Sequence, residues 1–195
     1  MKTFVQIGAN KGNDTFYKRM CDLQEPATIV LVEANPNLIP ELQVCYYSLR
    51  MLHNVLVFNN GIVHDTSVDT LIPHFGSDGL SSVLTRKSHP YPLEAIKFHP
   101  LTFAELCSAA KVSFVDELHI DTEGYDYTIL NSIDFDAFPI PYIECEVWPF
   151  DVDSTDSIKT GPKYFNEVLK PKMERYYSIG SKVVDEMATH VFVRK

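Results

Sequence analysis

Three short stretches of this sequence gather residues able to hold or activate a small molecule, and each follows an apolar run. The first is Gly8-Ala9-Asn10-Lys11-Gly12. Its two glycines allow a tight turn and a close approach of ligand to backbone, as nucleotide-binding loops require. The three-glycine pyrophosphate fingerprint is not met, which favours an adenosine ligand lacking a pyrophosphate. On its own, the loop reads equally well as a plain strand-to-helix turn. The second is Glu33, 21 positions after Gly12 and directly behind the apolar run Ile29-Val30-Leu31-Val32. A carboxylate there can accept hydrogen bonds from both hydroxyls of a ribose, where otherwise it would be a solvated loop charge or a helix cap. The third is His119-Ile120-Asp121-Thr122-Glu123-Gly124, which brings two carboxylates to the end of another strand. Asp121 and Glu123 are placed to hold a cofactor, orient an acceptor hydroxyl or take its proton. In the competing reading, Asp121 caps the following helix and Glu123 sits in its first turn, where the helix dipole favours anions.

Further groups extend these three. Ile143-Glu144-Cys145-Glu146-Val147-Trp148 supplies a third carboxylate, and strand alternation sends Glu144 and Glu146 to one face. Glu146, nearer the strand end, is the expected catalytic member, and with Asp121 it would offer oxygen ligands to a divalent metal. The seven histidines are dispersed and no Ser-His-Asp order is readable; His74, His89 and His99 fall where a loop could reach a substrate. Ser81 and Ser82, in a Gly- and Ser-rich segment, are expected in a lid or a cofactor-side wall. Tyr91, Tyr125, Tyr127 and Trp148 either line an acceptor site or pack.

These groups need elements that present them together. Residues 3–7, 28–32, 55–58, 117–120 and 142–147 read as strands, and 175–179 with 190–194 as a closing antiparallel pair. Helical spacing follows Gly12, with Phe16, Met20 and Leu23 on one stripe, and recurs after Pro36, over 101–110, 125–133 and 164–169. Residues 59–100, rich in Gly, Ser, His and Pro, are expected to be a long functional loop. This alternation predicts an α/β fold: a doubly wound, mostly parallel seven-stranded sheet with helices on both faces and ligands beyond the strand C-termini, at the switch point.

Composition narrows the class. With 195 residues, 45% hydrophobic and 22% charged, a single domain spanning 1–195 that buries a substantial core is expected. A net charge of -9 disfavours a nucleic-acid partner. Cys21, Cys45, Cys107 and Cys145 show no metal-binding spacing and read as reduced, mostly buried thiols. The expectation is a cytoplasmic enzyme with neither signal peptide nor membrane span.

Taken in order, Val5-Gln6-Ile7-Gly8-Ala9-Asn10-Lys11-Gly12, Val32-Glu33-Ala34-Asn35-Pro36 and Ile120-Asp121-Thr122-Glu123-Gly124 resemble the FkbM family of methyltransferases. Ser81-Ser82 and Pro100-Leu101-Thr102-Phe103-Ala104-Glu105-Leu106 resemble family features in the same order. The resemblance implies a class I methyltransferase fold with S-adenosylmethionine as donor. It places Gln6, Gly8, Ala9, Asn10 and Gly12 beside the amino acid moiety, and Glu33, Ala34 and Asn35 around the ribose. Ser81, Ser82 and Asp121 complete the cofactor site, while Gln6 stands where relatives often carry an acid. An oxygen acceptor follows by the same analogy, most readily the hydroxyl of a sugar, a glycan or another small molecule. Asp121, Glu123, Glu146 or a loop histidine would then remove the hydroxyl proton, with or without the aid of a divalent metal. Two other functions compete: an NAD-dependent oxidoreductase, opposed by the missing fingerprint, and a catalytically silent binding domain on the same fold.

Overall fold

The computed structural model describes residues 1–73, 81–82, 96–147, 161–184 and 187–195. The chain opens with β1 (Lys2–Ile7), α1 (Thr15–Asp22), β2 (Ala27–Val32), α2 (Ile39–Cys45) and β3 (Asn54–Phe58). Five short strands follow: β4 (Gly61–Ile62), β5 (Thr70–Pro73), β6 (Ser81–Ser82), β7 (Ile96–Lys97) and β8 (Pro100–Leu101). Then come α3 (Phe103–Ala110), β9 (Glu117–Ile120), α4 (Asp126–Ser132) and β10 (Tyr142–Glu146). The last part comprises α5 (Pro162–Tyr164), a π-helical turn (Phe165–Leu169), α6 (Lys170–Met173), β11 (Tyr177–Val184) and β12 (Met187–Arg194).

Seven strands form the main sheet in the order β11-β12-β10-β9-β1-β2-β3. All its pairings are parallel except those of β12, which runs antiparallel to both β10 and β11. Every residue of β2 is buried, as the continuous apolar run requires of a strand covered on both faces. Alternation divides the core in two. Phe4, Ile29 and Leu31 pack with Phe16, Met20 and Leu42 on one side, while Val5, Ile7 and Val30 meet Leu106, Ile129 and Leu169 on the other. Each such side chain contributes about 1.5–3 kcal/mol on burial. Helix starts are set locally: Asp14 caps α1 by accepting from Tyr17 N at 2.8 Å, and Thr102 with Glu105 forms a capping box on α3.

Three expectations need adjustment. Within 59–100, β4 pairs with β8, and β5 with β6 and β7. Strands this short, paired across up to 39 positions, leave no periodicity for a sequence to display. The closing hairpin is longer than expected, because Gly180, Ser181 and Lys182 are weak strand formers that β12 holds by cross-strand pairing. The helical stretch around 164–169 runs from Pro162 to Met173, with a π-turn ahead of Pro171. Proline lacks the amide hydrogen an α-helix would use there, so the ladder loosens before it. Cys107 and Cys145 are buried as expected, but Cys21 is exposed. Among the described residues no helix is long and apolar enough to cross a membrane.

Candidate functional site

Strand register assembles the site. Ile7 lies opposite both Val32 and Ile120, so the residues that follow, Gly8, Glu33 and Asp121, stand abreast at the C-terminal edge of three adjacent strands. Gly8 N donates to Val32 O at 2.9 Å and Asp121 N to Ile7 O at 3.0 Å, carrying the ladder one step past the strands. A cavity of about 460 Å³ opens at this point, between β2 and β9 on either side of β1, where the strand order reverses.

The glycine loop forms its floor. Gly8 has φ +82°, and a Cβ there would lie 1.7 Å from the carbonyl oxygen of Asp121, so no side chain fits. Gly12 has φ +78° and would collide with Leu42 and Tyr46 at 2.7 and 2.8 Å. Glu33 is buried, and its two oxygens accept Asn10 N at 2.8 Å and Asn35 N at 2.7 Å. Each oxygen keeps a lone pair for a ligand. Burial pushes this carboxyl above its ordinary range, against the pull of the Asn35, Asn10 and Ala34 amides.

The turn before α4 is held by a residue the sequence did not single out. Asp126 is buried and accepts Thr122 N, Thr122 Oγ1 and Gly124 N at 3.0–3.1 Å. It holds the turn that leads into α4, while the N-cap residue of that helix is Tyr125, without a side-chain bond, and not the Asp121 of the competing reading. Gripped at 122 and 124, Glu123 adopts φ +56°, a left-handed conformation that costs a non-glycine residue about 1–2 kcal/mol. Asp121 lines the cavity and is reached by solvent, yet protein surrounds it closely. Desolvation, then the charges of Asp126 and Glu123, push its carboxyl up to about 7.

The cavity is lined by Gly8, Asn10, Gly12, Glu33, Ala34, Asp121 and Glu123 of the expected residues. Ala9 is fully buried behind this layer, and Asn35 serves Glu33 and caps the turn at Asn37. Gln6 is buried under α1, where its Nε2 donates to Asp14 Oδ2 at 2.5 Å. Glu146 is not among the lining residues. Ser81 and Ser82 form β6, but their side chains, like His74, His89, Tyr91 and Trp148, lie outside the described residues. His99 is exposed; its carbonyl accepts Gly61 N at 3.1 Å. Among the described residues, no group of three or more His, Cys, Asp or Glu side chains could hold a metal ion.

Sequence reasoning missed Asp14 and the wall built from Asn60, Gly61, Ile62, Val63 and Phe98. An acid opening the helix just after the glycine turn was the available signal for Asp14; Asn60-Gly61, a turn dipeptide behind β3, was a weaker one for the wall. Phe98 had none. It belongs there because a Cβ on Gly61 would strike its ring at 2.2 Å. Tyr125, also in the wall, shares a 2.5 Å hydrogen bond with His64 Nδ1.

This strand order, with a glycine turn and a carboxylate at its switch point, defines a class I methyltransferase fold. A solved structure of fibrillarin from Aeropyrum pernix, in complex with natively bound S-adenosyl-L-methionine, shares it with a TM-score of 0.55 at 15% identity. The match covers 98% of this chain and 66% of that one, so the chain spans just under two thirds of the fibrillarin length. At that identity the likeness is one of fold. Residues 6–175 match the methyltransferase FkbM domain, and the chain belongs to the FkbM methyltransferase family. A search of curated proteins finds no match.

Proposed function

We propose that this chain is an S-adenosylmethionine-dependent O-methyltransferase acting on a hydroxyl of a small molecule or glycan. The observation that carries the reading is the charge of the cavity. Asp14, Glu33, Asp121 and Glu123 line it against Lys11, the one cation among the described lining residues, and a negative pocket of this kind complements a cationic donor. The lone pairs left on Glu33 suit the two hydroxyls of a ribose, and Ile62, Val63 and Phe98 offer an apolar wall to a flat base. When bound, S-adenosylmethionine supplies an electrophilic sulfonium methyl and departs as the thioether.

The protein then has two tasks. It must hold the acceptor oxygen in line with the methyl, which accounts for much of the acceleration in a displacement of this type, and it must take the hydroxyl proton. Asp121 is suited to the second, since a base working near neutral pH performs best with a pKa near 7. Glu123, fixed in a strained turn beside it, orients the acceptor. Glu146, at the end of β10 and outside the described cavity wall, is the remaining candidate base.

The test is incubation with labelled S-adenosylmethionine and a panel of sugars, glycans and small alcohols, with and without a divalent metal. Transfer to a hydroxyl acceptor supports the reading. Donor binding with no transfer to any of them would favour a binding domain, and failure to bind the donor would overturn the proposal.

A further inference from the structure

We infer that Asp14 is the anchor for the α-ammonium of the donor's amino acid arm and that Gln6 is the positioning residue that aims it. The inference rests on the S-adenosylmethionine reading above and deepens it, because nothing so far says which group receives the second positive charge of that molecule.

Asp14 lines the cavity. Its Oδ1 caps α1 through Tyr17 N at 2.8 Å, and its Oδ2 accepts Gln6 Nε2 at 2.5 Å. Each oxygen therefore has one neutral donor and a lone pair to spare. No lysine, arginine or histidine among the described residues forms an ion pair with it. A carboxylate facing a cavity with no countercharge calls for a cationic ligand.

Gln6 supplies the second observation. It is completely buried, its amide nitrogen is spent on Asp14, and its Oε1 is sealed from solvent with no hydrogen bond from any described residue. A buried acceptor left in this state costs about 1–3 kcal/mol. Asp14, held from behind by the Gln6 amide, thus presents acceptors only to the cavity, and its complement there is a group rich in donors. An ammonium, with three N–H and no lone pair, is such a group. A carboxylate or a phosphate would be repelled there, and an alcohol would bring one donor and no countercharge.

The field around the pair agrees. Asp14 is among the charges that raise the Asp121 carboxyl, so a cation held at Asp14 relieves repulsion across the cavity floor. Both ends of a linear donor are then gripped by carboxylates: the ribose by Glu33 and the arm by Asp14. Methyl transfer would run between them, beside Asp121.

Calorimetry with three ligands tests this without turnover: S-adenosylhomocysteine, which carries the arm; 5′-methylthioadenosine, which lacks it; and the decarboxylated analogue of the donor, which keeps the ammonium alone. Asp14→Asn is the informative variant, because asparagine caps a helix as well as aspartate, and its NH2 can donate to Gln6 Oε1 once the Gln6 amide turns over, so that the charge is lost and the packing kept. We expect S-adenosylhomocysteine and the decarboxylated analogue to bind about 10- to 100-fold more weakly, as loss of a charge-assisted hydrogen bond implies. Binding of 5′-methylthioadenosine should stay within about twofold and the melting temperature should hold. Gln6→Leu keeps the charge but releases its aim, and should give a smaller loss with the same ligand selectivity. If Asp14→Asn bound all three ligands like the wild type, or lost all three equally, the assignment would be overturned. If the wild type bound none of them, the donor reading itself would fall.

Discussion

Asp121 directly follows β9 and Glu144 lies on its neighbour β10, and their carboxyls are displaced in opposite directions. Desolvation raises both. At Asp121 the nearest charges are also negative, from Asp126, Glu123 and Asp14, so the carboxyl stays high, at about 7. At Glu144 burial is overcome by His119, 3.4 Å from Oε2, and by three donors on Oε1, Lys182 at 2.5 Å, Tyr142 Oη at 2.6 Å and Arg19 at 3.1 Å. Its carboxyl falls well below the ordinary carboxylate range. Arg19 also pairs with Glu117 at 2.6 Å, tying α1 to the sheet. The difference separates a site from a scaffold. A carboxylate held among cations stabilises the fold, while one left among other acids at a cavity is free to receive a ligand or a proton.

The largest effect that would test this contrast is catalytic. Asp121→Asn should lower kcat by about 10²- to 10⁴-fold, the range for loss of a general base, with a much smaller loss of donor affinity by calorimetry. Full turnover in that variant would remove Asp121 as the base. Glu144→Gln should leave kcat alone and instead cost stability. A fully buried partner would cost about 3 kcal/mol or more, but Lys182 and Arg19 are partly exposed, so about 2 kcal/mol is expected. Thermal unfolding would show this as a drop of roughly 4–8 °C; an unchanged melting temperature would mean the network is decorative. Glu33→Gln should weaken S-adenosylhomocysteine by about 10-fold, since one charge-assisted bond to a ribose hydroxyl is lost. Unaltered affinity would place the ribose elsewhere.

The smallest and sharpest test is pH. Asp121 is raised in the folded state, so it binds a proton more tightly there than in the unfolded chain, and the stability it contributes is lost as pH climbs from about 4 to 7. Asp121→Asn should therefore raise the melting temperature at pH 8 and leave it unchanged at pH 4. Glu144 is lowered, so its contribution is present above the unfolded value of about 4.3 and disappears as pH falls through the folded value. Wild type and Glu144→Gln should converge in acid. Activity of the wild type should rise with pH through about 7, as Asp121 ionises; a flat profile there would contradict the base assignment.

Much of this was legible in the residues themselves. The apolar runs at 3–7 and 28–32 alternate with helical stripes, and that local periodicity was enough to specify a parallel sheet. Gly8, Glu33 and Asp121 were legible for a related reason: each ends such a run, and equal registers bring run-ends together. The cap at Asp14 and the turn at Asp126 were also written locally, but what they do was not. Whether an acid caps, binds or titrates depends on which groups face it. Glu144 reads in the sequence as one of two similar strand carboxylates, yet Arg19 reaches it across 125 positions and Lys182 across 38. Gln6 meets Asp14, and Gly61 meets Phe98, only because the chain has already folded. Element type follows from neighbours in the chain, whereas the charge and solvation felt by a carboxylate follow from neighbours in space.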